Sequence, residues 1–273
     1  VASDNHTITI TDGAGPQAGA PITLTVDDQN LADGSTPSGD DFDSDSITFT
    51  EGSDAIDTIV FGTDLSGLVG GLTWSRVSGT EITGSDGGDL IVTLDLSVTG
   101  TTATVTATLS DNYDSHPTFT ADDLQALGSV GVVATDIDGD FATGTVNVAV
   151  SDDVPDMTVG GTATVAEDAV GTIGGTWDNA SAGADGAAST VVLVGASTYA
   201  IGDDIALIEG TLNVAANGTW TFDPNAGLDQ DVAQSVTFTV KVTDGDNDVA
   251  SDNHTITITD GAGPQAGAPI TLT

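Results

Sequence analysis

The sequence predicts an all-β chain that forms antiparallel sandwiches in tandem. Apolar and polar residues alternate with a period of two over most of its length, which is typical of strands with one buried face. Turn residues separate these strands at short intervals, and only one segment has the pattern of a helix. A long internal repeat then indicates how the strands are divided among domains.

Strands are predicted wherever the alternation is strict. It is clearest in VTFTVKVT, residues 236–243, whose four apolar residues all fall on one face. In NVAANGTWTF, residues 213–222, the pair Asn217-Gly218 predicts a two-residue hairpin turn. Further strands are predicted for residues 22–26, 46–50, 72–77, 89–98, 102–109, 144–150 and 189–195.

One helix is predicted, at TADDLQALG, residues 120–128. Thr120 is the expected N-cap and Asp123 completes a capping box. Gly128 supplies the expected C-terminal stop.

Residues 1–25 and residues 249–273 have the same sequence. Identity over this length does not arise by convergence on a strand pattern, so the chain represents one period of a tandem array plus an overlap. Residues 1–10 therefore correspond to the last strand of a preceding domain, and residues 11–20 to the linker after it. We expect this strand to stay disordered or to add to another sheet, because the rest of its sandwich is expected upstream of Val1.

A weaker internal repeat indicates two domains in each period. Residues 135–155 align with 243–264, and both read as strand, acidic turn, strand and an acidic linker ending in proline. LTVDD at 24–28 likewise matches TVAED at 164–168. The strand spacing favours tandem immunoglobulin-like or cadherin-like antiparallel β-sandwiches. The predicted segments are the last strand and linker of a preceding repeat at 1–18, one sandwich at 19–152, a second at 153–260, and the start of the next repeat at 261–273.

The composition restricts the class of partner. Forty-two acidic residues against only Arg76 and Lys241 give a formal net charge of −40. Nucleic acids and anionic membranes require basic side chains, so both are excluded and cations are expected instead. The chain has no cysteine, and its apolar runs are too short for membrane insertion. The regular strand pattern argues against disorder.

Three segments are similar to known bacterial repeats. GTLNVAANGTWTFDPNAG, residues 210–227, resembles the signature of VCBS-type repeats. Residues 24–35 and 133–155 resemble repeats of giant type I-secreted, RTX-type adhesins. The resemblance implies calcium-bound extender domains at the extracellular bacterial surface, exported by type I secretion and serving cell adhesion and biofilm reach. SDGGDL, residues 85–90, only partly matches the glycine-rich repeats of the secretion region and predicts a hairpin turn.

Two acidic turns are the candidate metal sites. Each places three aspartates at positions 1, 3 and 5 of a tight turn, namely Asp136, Asp138 and Asp140, and Asp244, Asp246 and Asp248. Carboxylates this close repel unless a hard cation lies among them, and oxygen-only ligands favour Ca2+ over zinc or copper. Neither turn matches the EF-hand. The alternative is a solvated hairpin whose aspartates serve turn geometry and solubility.

Further acidic residues are expected around these turns. The last hairpin of an immunoglobulin-like sandwich lies where the chain enters the domain, so each turn is expected to face the linker into its own domain. The linker ligands expected on this ground are Asp12, with its copy Asp260, and Asp152, Asp153 and Asp156. The acids one strand past each linker are expected at the opposite ends, or as caps of a bent strand: Asp27, Asp28, Glu167 and Asp168. This distribution resembles cadherin junctions.

The remaining polar and aromatic residues favour structural roles. His254, with its copy His6, falls on an inward strand position and is expected to pack. His116 lies in a loop without a nucleophile motif, and AGADGAAS, residues 182–189, predicts a surface loop without chemistry. The tryptophans are interpreted as core residues rather than a sugar-stacking platform: Trp74, Trp177 and Trp220.

These features favour a structural extender, a calcium-stiffened segment of a long repetitive bacterial surface adhesin or filament. The alternative is a calcium-dependent carbohydrate-binding module, which an exposed aromatic platform beside a metal site would favour. A hydrolase is not expected, because no nucleophile, base and oxyanion group can be assembled from the motifs. The expected partners are neighbouring repeats of the same array, including strand complementation between chains.

Overall fold

The computed structural model of the chain describes residues 4–113, 124–167, 169–228 and 234–261. The chain divides into two compact units between Asp153 and Val154, called unit 1 and unit 2 below. Apart from a single 3-10 turn, Asp28–Asn30, the described residues form strands, turns and irregular connections. The fold is therefore all-β.

Unit 1 consists of two sheets. Its strands are β1 (Gln17–Ala18), β2 (Ile22–Asp27), β3 (Phe42–Thr50), β4 (Ile56–Phe61), β5 (Thr73–Arg76), β6 (Glu81–Asp86), β7 (Asp89–Thr99), β8 (Thr102–Leu109), β9 (Leu124–Asp136) and β10 (Phe141–Ser151). One sheet has the order β1-β3-β8-β7-β6-β5, and the other has the order β2-β10-β9-β4.

Unit 2 also consists of two sheets. Its strands are β11 (Asp156–Gly161), β12 (Thr164–Ala166), β13 (Ile173–Ser181), β14 (Ala187–Val194), β15 (Ser197–Ala200), β16 (Asp204–Ala206), β17 (Gly210–Ala215), β18 (Thr219–Pro224), β19 (Gln234–Asp244) and β20 (Val249–Thr259). The sheet orders are β11-β13-β18-β17-β16 and β12-β20-β19-β14-β15.

The beginning of each unit is divided between its two sheets. In unit 1, β1 pairs antiparallel with β3, whereas β2 pairs parallel with the last strand, β10. In unit 2, β11 pairs antiparallel with β13, whereas β12 pairs parallel with the last strand, β20. This strand order is that of an immunoglobulin-like or cadherin-like sandwich, so the predicted fold class is confirmed. The similar segments LTVDD and TVAED contribute the equivalent strands β2 and β12.

Each unit has its own hydrophobic core between its sheets. In unit 2, Trp220 and Phe222 from one sheet pack with Phe238 and Ile256 from the other. The rings of Trp220 and Phe238 meet edge to face, with their centres 5.3 Å apart. Burying such a side chain stabilises the folded state by about 1.5–3 kcal/mol relative to leaving it exposed. The core of unit 1 includes Leu24, Ile47, Phe49, Phe61, Leu94, Leu127 and Val148.

The strands predicted from alternation are all present, but one predicted turn differs in length. Ala215 pairs with Thr219, so the turn between β17 and β18 has three residues instead of two. Gly218 adopts a φ of +81°, and Asn217 accepts a hydrogen bond from the Thr219 N–H at 3.2 Å. The left-handed glycine adds one residue to the turn while keeping the two strands in register.

The predicted helix over residues 120–128 is wrong from Leu124 onward, because β9 begins there; residues 120–123 lie outside the described residues. Strand β9 pairs with β10 on one side and β4 on the other, and this tertiary pairing overrides the local capping pattern. Gly128 does not end a helix. Its φ of +98° lets the backbone approach the Gly67 carbonyl, which an added Cβ would overlap.

Candidate metal sites

The acidic turn of unit 1 joins β9 to β10. The Asp136 N–H donates to the Asp140 carbonyl at 2.9 Å, and Gly139 adopts a φ of +106° that closes the turn. The Gly139 N–H also donates to the Asp136 carboxylate at 3.0 Å. One carboxylate oxygen from each of Asp136, Asp138 and Asp140 lies within 4.8 Å of the others. Spacing at positions 1, 3 and 5 therefore brings the three carboxylates together.

Asp138 also belongs to a second carboxylate group in unit 1. One oxygen from each of Asp12, Asp54 and Asp138 lies within 4.8 Å of the others. The loop that carries Asp12 is fixed to the β3–β4 loop, because Ser53 donates its N–H to the Ala14 carbonyl at 2.8 Å and accepts the Ala14 N–H through its hydroxyl at 3.0 Å. The residues that lead into β1 therefore share an acidic group with the β9–β10 turn.

The crowding of carboxylates around Asp138 perturbs its protonation. A hydrogen bond shared with Asp136 raises the pKa of Asp138 to about 6. Partial desolvation and repulsion from Asp12 and Asp54 act in the same direction. A bound cation would reverse this effect, because it stabilises the ionised form of every carboxylate around it.

The acidic turn of unit 2 has the same backbone form and joins β19 to β20. The Asp244 N–H donates to the Asp248 carbonyl at 3.1 Å, and Asn247, with a φ of +89°, takes the place of Gly139. Carboxylate oxygens of Asp244, Asp246 and Asp248 lie within 4.8 Å of one another. All three side chains are buried, whereas in unit 1 Asp136 is buried and Asp138 and Asp140 are exposed.

Asp244 is the most unusual residue of this turn. Its side chain is 0% exposed, and neither carboxylate oxygen has a hydrogen-bond partner among the described residues. Burial raises the pKa of Asp244 to about 8, and the neighbouring carboxylate of Asp246 adds to the effect. An unsatisfied buried carboxylate beside two others is costly without a cation, whereas a bound cation would satisfy it.

A glycine explains why the two turns differ in burial. Gly245 lies against the backbone carbonyl of Asp185, which an added Cβ would contact, whereas the aligned residue of unit 1 is Ile137. The loop at 182–186 therefore lies against the unit 2 turn, and carboxylate oxygens of Asp185 and Asp246 come within 4.8 Å. The predicted surface loop at 182–189 is shorter in the structure, because residues 187–189 belong to β14, and Gly183 is buried.

The donor sets fit a hard divalent cation. Three carboxylate oxygens within 4.8 Å, with no nitrogen or sulfur in the same group, match the preference of Ca2+ for six to eight oxygen ligands, the rest being carbonyls or water. Asp246 would act with Asp244 and Asp248 in unit 2. In unit 1, Asp138 would bind the ion either with Asp136 and Asp140 or with Asp12 and Asp54. The buried carboxylate of Asp244 makes the unit 2 turn the stronger site.

Of the acids one strand past each linker, Asp27, Asp28 and Glu167 lie at the opposite end of their unit from the acidic turn. Asp27 pairs with Ser151 at the end of β10, and its carboxylate accepts the Gln29 N–H at 3.1 Å, so it caps the 3-10 turn. Asp28 is buried in that turn. Glu167 donates its N–H to the Thr259 carbonyl at 3.1 Å, and Asp168 lies outside the described residues. A metal-binding role for these acids stays a prediction.

The linker acids have varied surroundings. Asp153 is buried and accepts hydrogen bonds from the Ser35 N–H, at 2.7 Å, and from the Ser35 hydroxyl, which ties it to unit 1. Asp152 is buried, Asp156 is exposed at the start of β11, and Asp260 is exposed after β20. The expected meeting of Asp152, Asp153 and Asp156 with the second turn stays a prediction.

The aromatic residues take structural positions. Trp177 and Trp220 are buried, and their indole N–H groups donate to Ala215 and Gly160 carbonyls at 2.9 Å and 2.8 Å. Trp74 is half-buried and its indole N–H donates to the Val69 carbonyl at 2.8 Å. Trp177 and Trp220 are core residues as predicted, whereas the half-buried Trp74 is not. His116 lies outside the described residues, and the half-buried His254 packs 4.9 Å from Trp220.

Two acidic residues near these turns were absent from the sequence prediction. Asp54 lies in the β3–β4 loop, and Asp185 precedes β14. Neither belongs to a run of alternating aspartates, so only the tertiary fold reveals them. The available indication was weak, because each is a loop aspartate close to the start of a strand in a chain with many such residues.

The pKa of Asp244 predicts how pH changes stability. In the metal-free protein, the pKa of Asp244 is about 8 in the folded state, above the ordinary 3.8. The preference of the folded state for the protonated carboxyl group stabilises it fully below about pH 4, and this contribution is lost as the pH rises through 8. Calcium requires the ionised form, so its stabilising effect should grow over the same interval. Melting of metal-stripped and calcium-loaded protein at pH 5, 6, 7 and 8 measures both trends. A calcium effect independent of pH would contradict the assignment of Asp244.

Comparisons with known proteins identify no family for this chain. No protein-family model matches the chain, and no curated protein sequence matches it. Solved structures similar to it include titin Ig tandem domains A164-A165, with 11% identity, 92% of this chain and 100% of that chain covered, and a TM-score of 0.29. Another is Protocadherin Gamma B2 extracellular cadherin domains 3-6, with 12% identity, 88% of this chain and 46% of that chain covered, and a TM-score of 0.32.

A third similar structure is Drosophila N-cadherin EC1-4, with 12% identity, 92% of this chain and 51% of that chain covered, and a TM-score of 0.28. The chain spans about half the length of the two cadherin fragments. Within the described ranges, no helix has the length and apolar character needed to cross a membrane.

Proposed function

We propose that this chain is a calcium-stiffened extender segment of a long, repetitive bacterial surface adhesin of the RTX type. It would act outside the cell, after type I secretion, and set the reach of an adhesive tip in cell adhesion and biofilm formation. The support is the tandem sandwich fold, the identical repeat at 1–25 and 249–273, and the carboxylate groups at both acidic turns. The partners proposed are neighbouring repeats of the same array.

The observation that carries the proposal is the buried turn of unit 2. Asp244 has no hydrogen-bond partner among the described residues, in a chain with 42 acidic and two basic residues. The two basic side chains offer little compensation for this negative charge. Lys241 lies on β19, and Arg76 donates to the Phe61 carbonyl at 3.0 Å. A buried carboxylate group is retained where a bound metal neutralises it.

Calcium at the unit 1 turn would stiffen the residues that lead into this unit. Asp12 precedes β1, Asp54 lies in the β3–β4 loop and Asp138 lies in the β9–β10 turn. An ion shared by these side chains would hold three separate segments together, whereas the same carboxylates repel each other without it. Stiffness in this connection is the property that an extender needs.

Hydrogen exchange tests this local stiffening. We expect calcium to slow amide exchange of residues 11–16 and of the turn at 136–141 by at least tenfold, because ion binding opposes the local opening that exchange requires. Asp54→Asn should remove most of this protection. The matched control is Asp57→Asn, an exposed aspartate on β4 that belongs to neither carboxylate group.

Small-angle scattering of the whole chain gives the functional readout. The extender proposal predicts a longer maximum dimension and a narrower spread of conformations with calcium than without it. Equal scattering profiles in calcium and in chelator would contradict stiffening, even if calcium binds. Salt must be held constant, because screening alone changes the repulsion among so many carboxylates.

A second candidate function is calcium-dependent carbohydrate binding at the unit 1 turn. Ile137 and Phe141 flank the carboxylates there and are 71% and 68% exposed. An exposed ring beside a calcium ion is the arrangement through which a sugar can be stacked and coordinated. A glycan array probed in calcium tests it, with Phe141→Ala as the variant. Binding that is lost in this variant and in chelator would favour the carbohydrate function over the extender.

A further inference from the structure

Two identical segments of the chain have different environments. Residues 4–10 belong to no strand, and Ile8 and Ile10 are 84% and 91% exposed. The same sequence at 252–258 lies in β20, where the counterparts Ile256 and Ile258 are 0% and 1% exposed. Since the residues are the same, the difference in exposure arises only from the sheet that receives residues 252–258.

The place occupied by β20 lies between two strands of unit 2. On one side β20 pairs antiparallel with β19, with Ile256 opposite Val236 and Thr255 opposite Thr237. On the other side it pairs parallel with β12, with Ile258 opposite Val165. A strand in this position gains main-chain hydrogen bonds along both edges and buries both isoleucines.

The side chains lining this place fit the sequence of the segment. The His254 ring lies 4.9 Å from Trp220 and 6.0 Å from Phe238, and its Nε2 is 3.2 Å from the Thr162 carbonyl oxygen. His6 would make these contacts in the same register. The aligned position in unit 1 holds the smaller Val146, which is fully buried.

We propose that residues 4–10 are a β20-equivalent strand that takes the place of β20 in unit 2 of a second copy of this chain. The donor strand makes the contacts that β20 otherwise makes, but the β20 of the acceptor must first leave its place between β12 and β19. Each copy can both donate residues 4–10 and accept them once its own β20 is displaced, which generates head-to-tail association. This inference involves no metal and stands independently of the calcium proposal.

The test uses the full chain with its own β20 weakened. Ile256→Asp places a charge at a fully buried position, while Ile8 in the donor segment is unchanged. We expect this variant to associate, with a weight-average mass in sedimentation at least twice that of a monomer. The double variant Ile8→Asp, Ile256→Asp should stay monomeric, because its donor strand carries the same defect. A monomeric Ile256→Asp chain, or association of both variants alike, would overturn the proposal.

Disulfide trapping tests the register of the exchanged strand. The chain has no cysteine, and the hydroxyls of Thr237 and Thr255 are 2.8 Å apart across the sheet. Thr7→Cys with Thr237→Cys, added to Ile256→Asp, should therefore cross-link most chains to one another. Thr7→Cys with Thr243→Cys, six residues further along β19, should cross-link at least tenfold less. Equal cross-linking of both pairs, or cross-linking within single chains only, would contradict strand donation to a second copy.

Discussion

We expect calcium at saturating concentration to raise the melting temperature of unit 2 by roughly 15 to 30 °C. A ligand present at a thousandfold excess over its Kd, and bound only by the folded state, stabilises that state by about 4 kcal/mol. For a domain of about 100 residues each kcal/mol shifts the midpoint by about 4–8 °C. Tryptophan fluorescence measures the transition, because Trp177 and Trp220 both lie in the core of unit 2.

Salt is the necessary control for this effect. The formal charge of −40 means that any electrolyte will stabilise the folded chain by screening. Melting curves with calcium and with magnesium at one ionic strength separate site binding from screening, because Mg2+ requires a stricter octahedral geometry and gives up its waters reluctantly. Equal midpoints in calcium, magnesium and chelator would show that the carboxylates act only through bulk charge.

Asp244→Asn abolishes most of the calcium-dependent shift and raises the midpoint of the metal-free protein at pH 8. The first effect arises because an essential charged ligand is lost from a group of three. The second arises because ionisation of Asp244, whose pKa burial raises to about 8, no longer opposes folding. The variant should therefore melt above the parent in chelator and below it in calcium.

The matched control is Asp223→Asn. Asp223 lies exposed on β18, so its replacement removes the same charge from the same unit without touching the carboxylate group. We expect its calcium shift to equal that of the parent within error. If Asp223→Asn and Asp244→Asn lose calcium stabilisation equally, the site is diffuse and the turn has no special role.

The sequence was sufficient for the strands and for the two acidic turns, because both depend on local order. Alternation defines a strand with one buried face, and aspartates at positions 1, 3 and 5 converge in a tight turn wherever a residue such as Gly139 or Asn247 adopts a positive φ. The helix prediction at 120–128 depended on local order too. It was wrong because pairing of β9 on both sides outweighed its caps.

The composition of the sites depends on contacts that are distant in sequence. Asp54 joins Asp12 and Asp138 only because the β3–β4 loop lies beside the β9–β10 turn. The burial of Asp244 depends on Gly245, which admits the loop at Asp185, and no local pattern distinguishes this glycine from any other turn glycine. Two turns with the same aspartate spacing thus become sites of different burial.

Anomalous scattering from crystals grown in calcium tests the central claim most directly. We predict a calcium peak with its carboxylate oxygens at about 2.3–2.6 Å, among Asp244, Asp246 and Asp248 of unit 2. Asp244 should coordinate through the side chain that is 0% exposed and has no hydrogen-bond partner among the described residues. A map with no peak at this turn, and with the Asp244 carboxyl group protonated or hydrogen-bonded to water, would contradict the account.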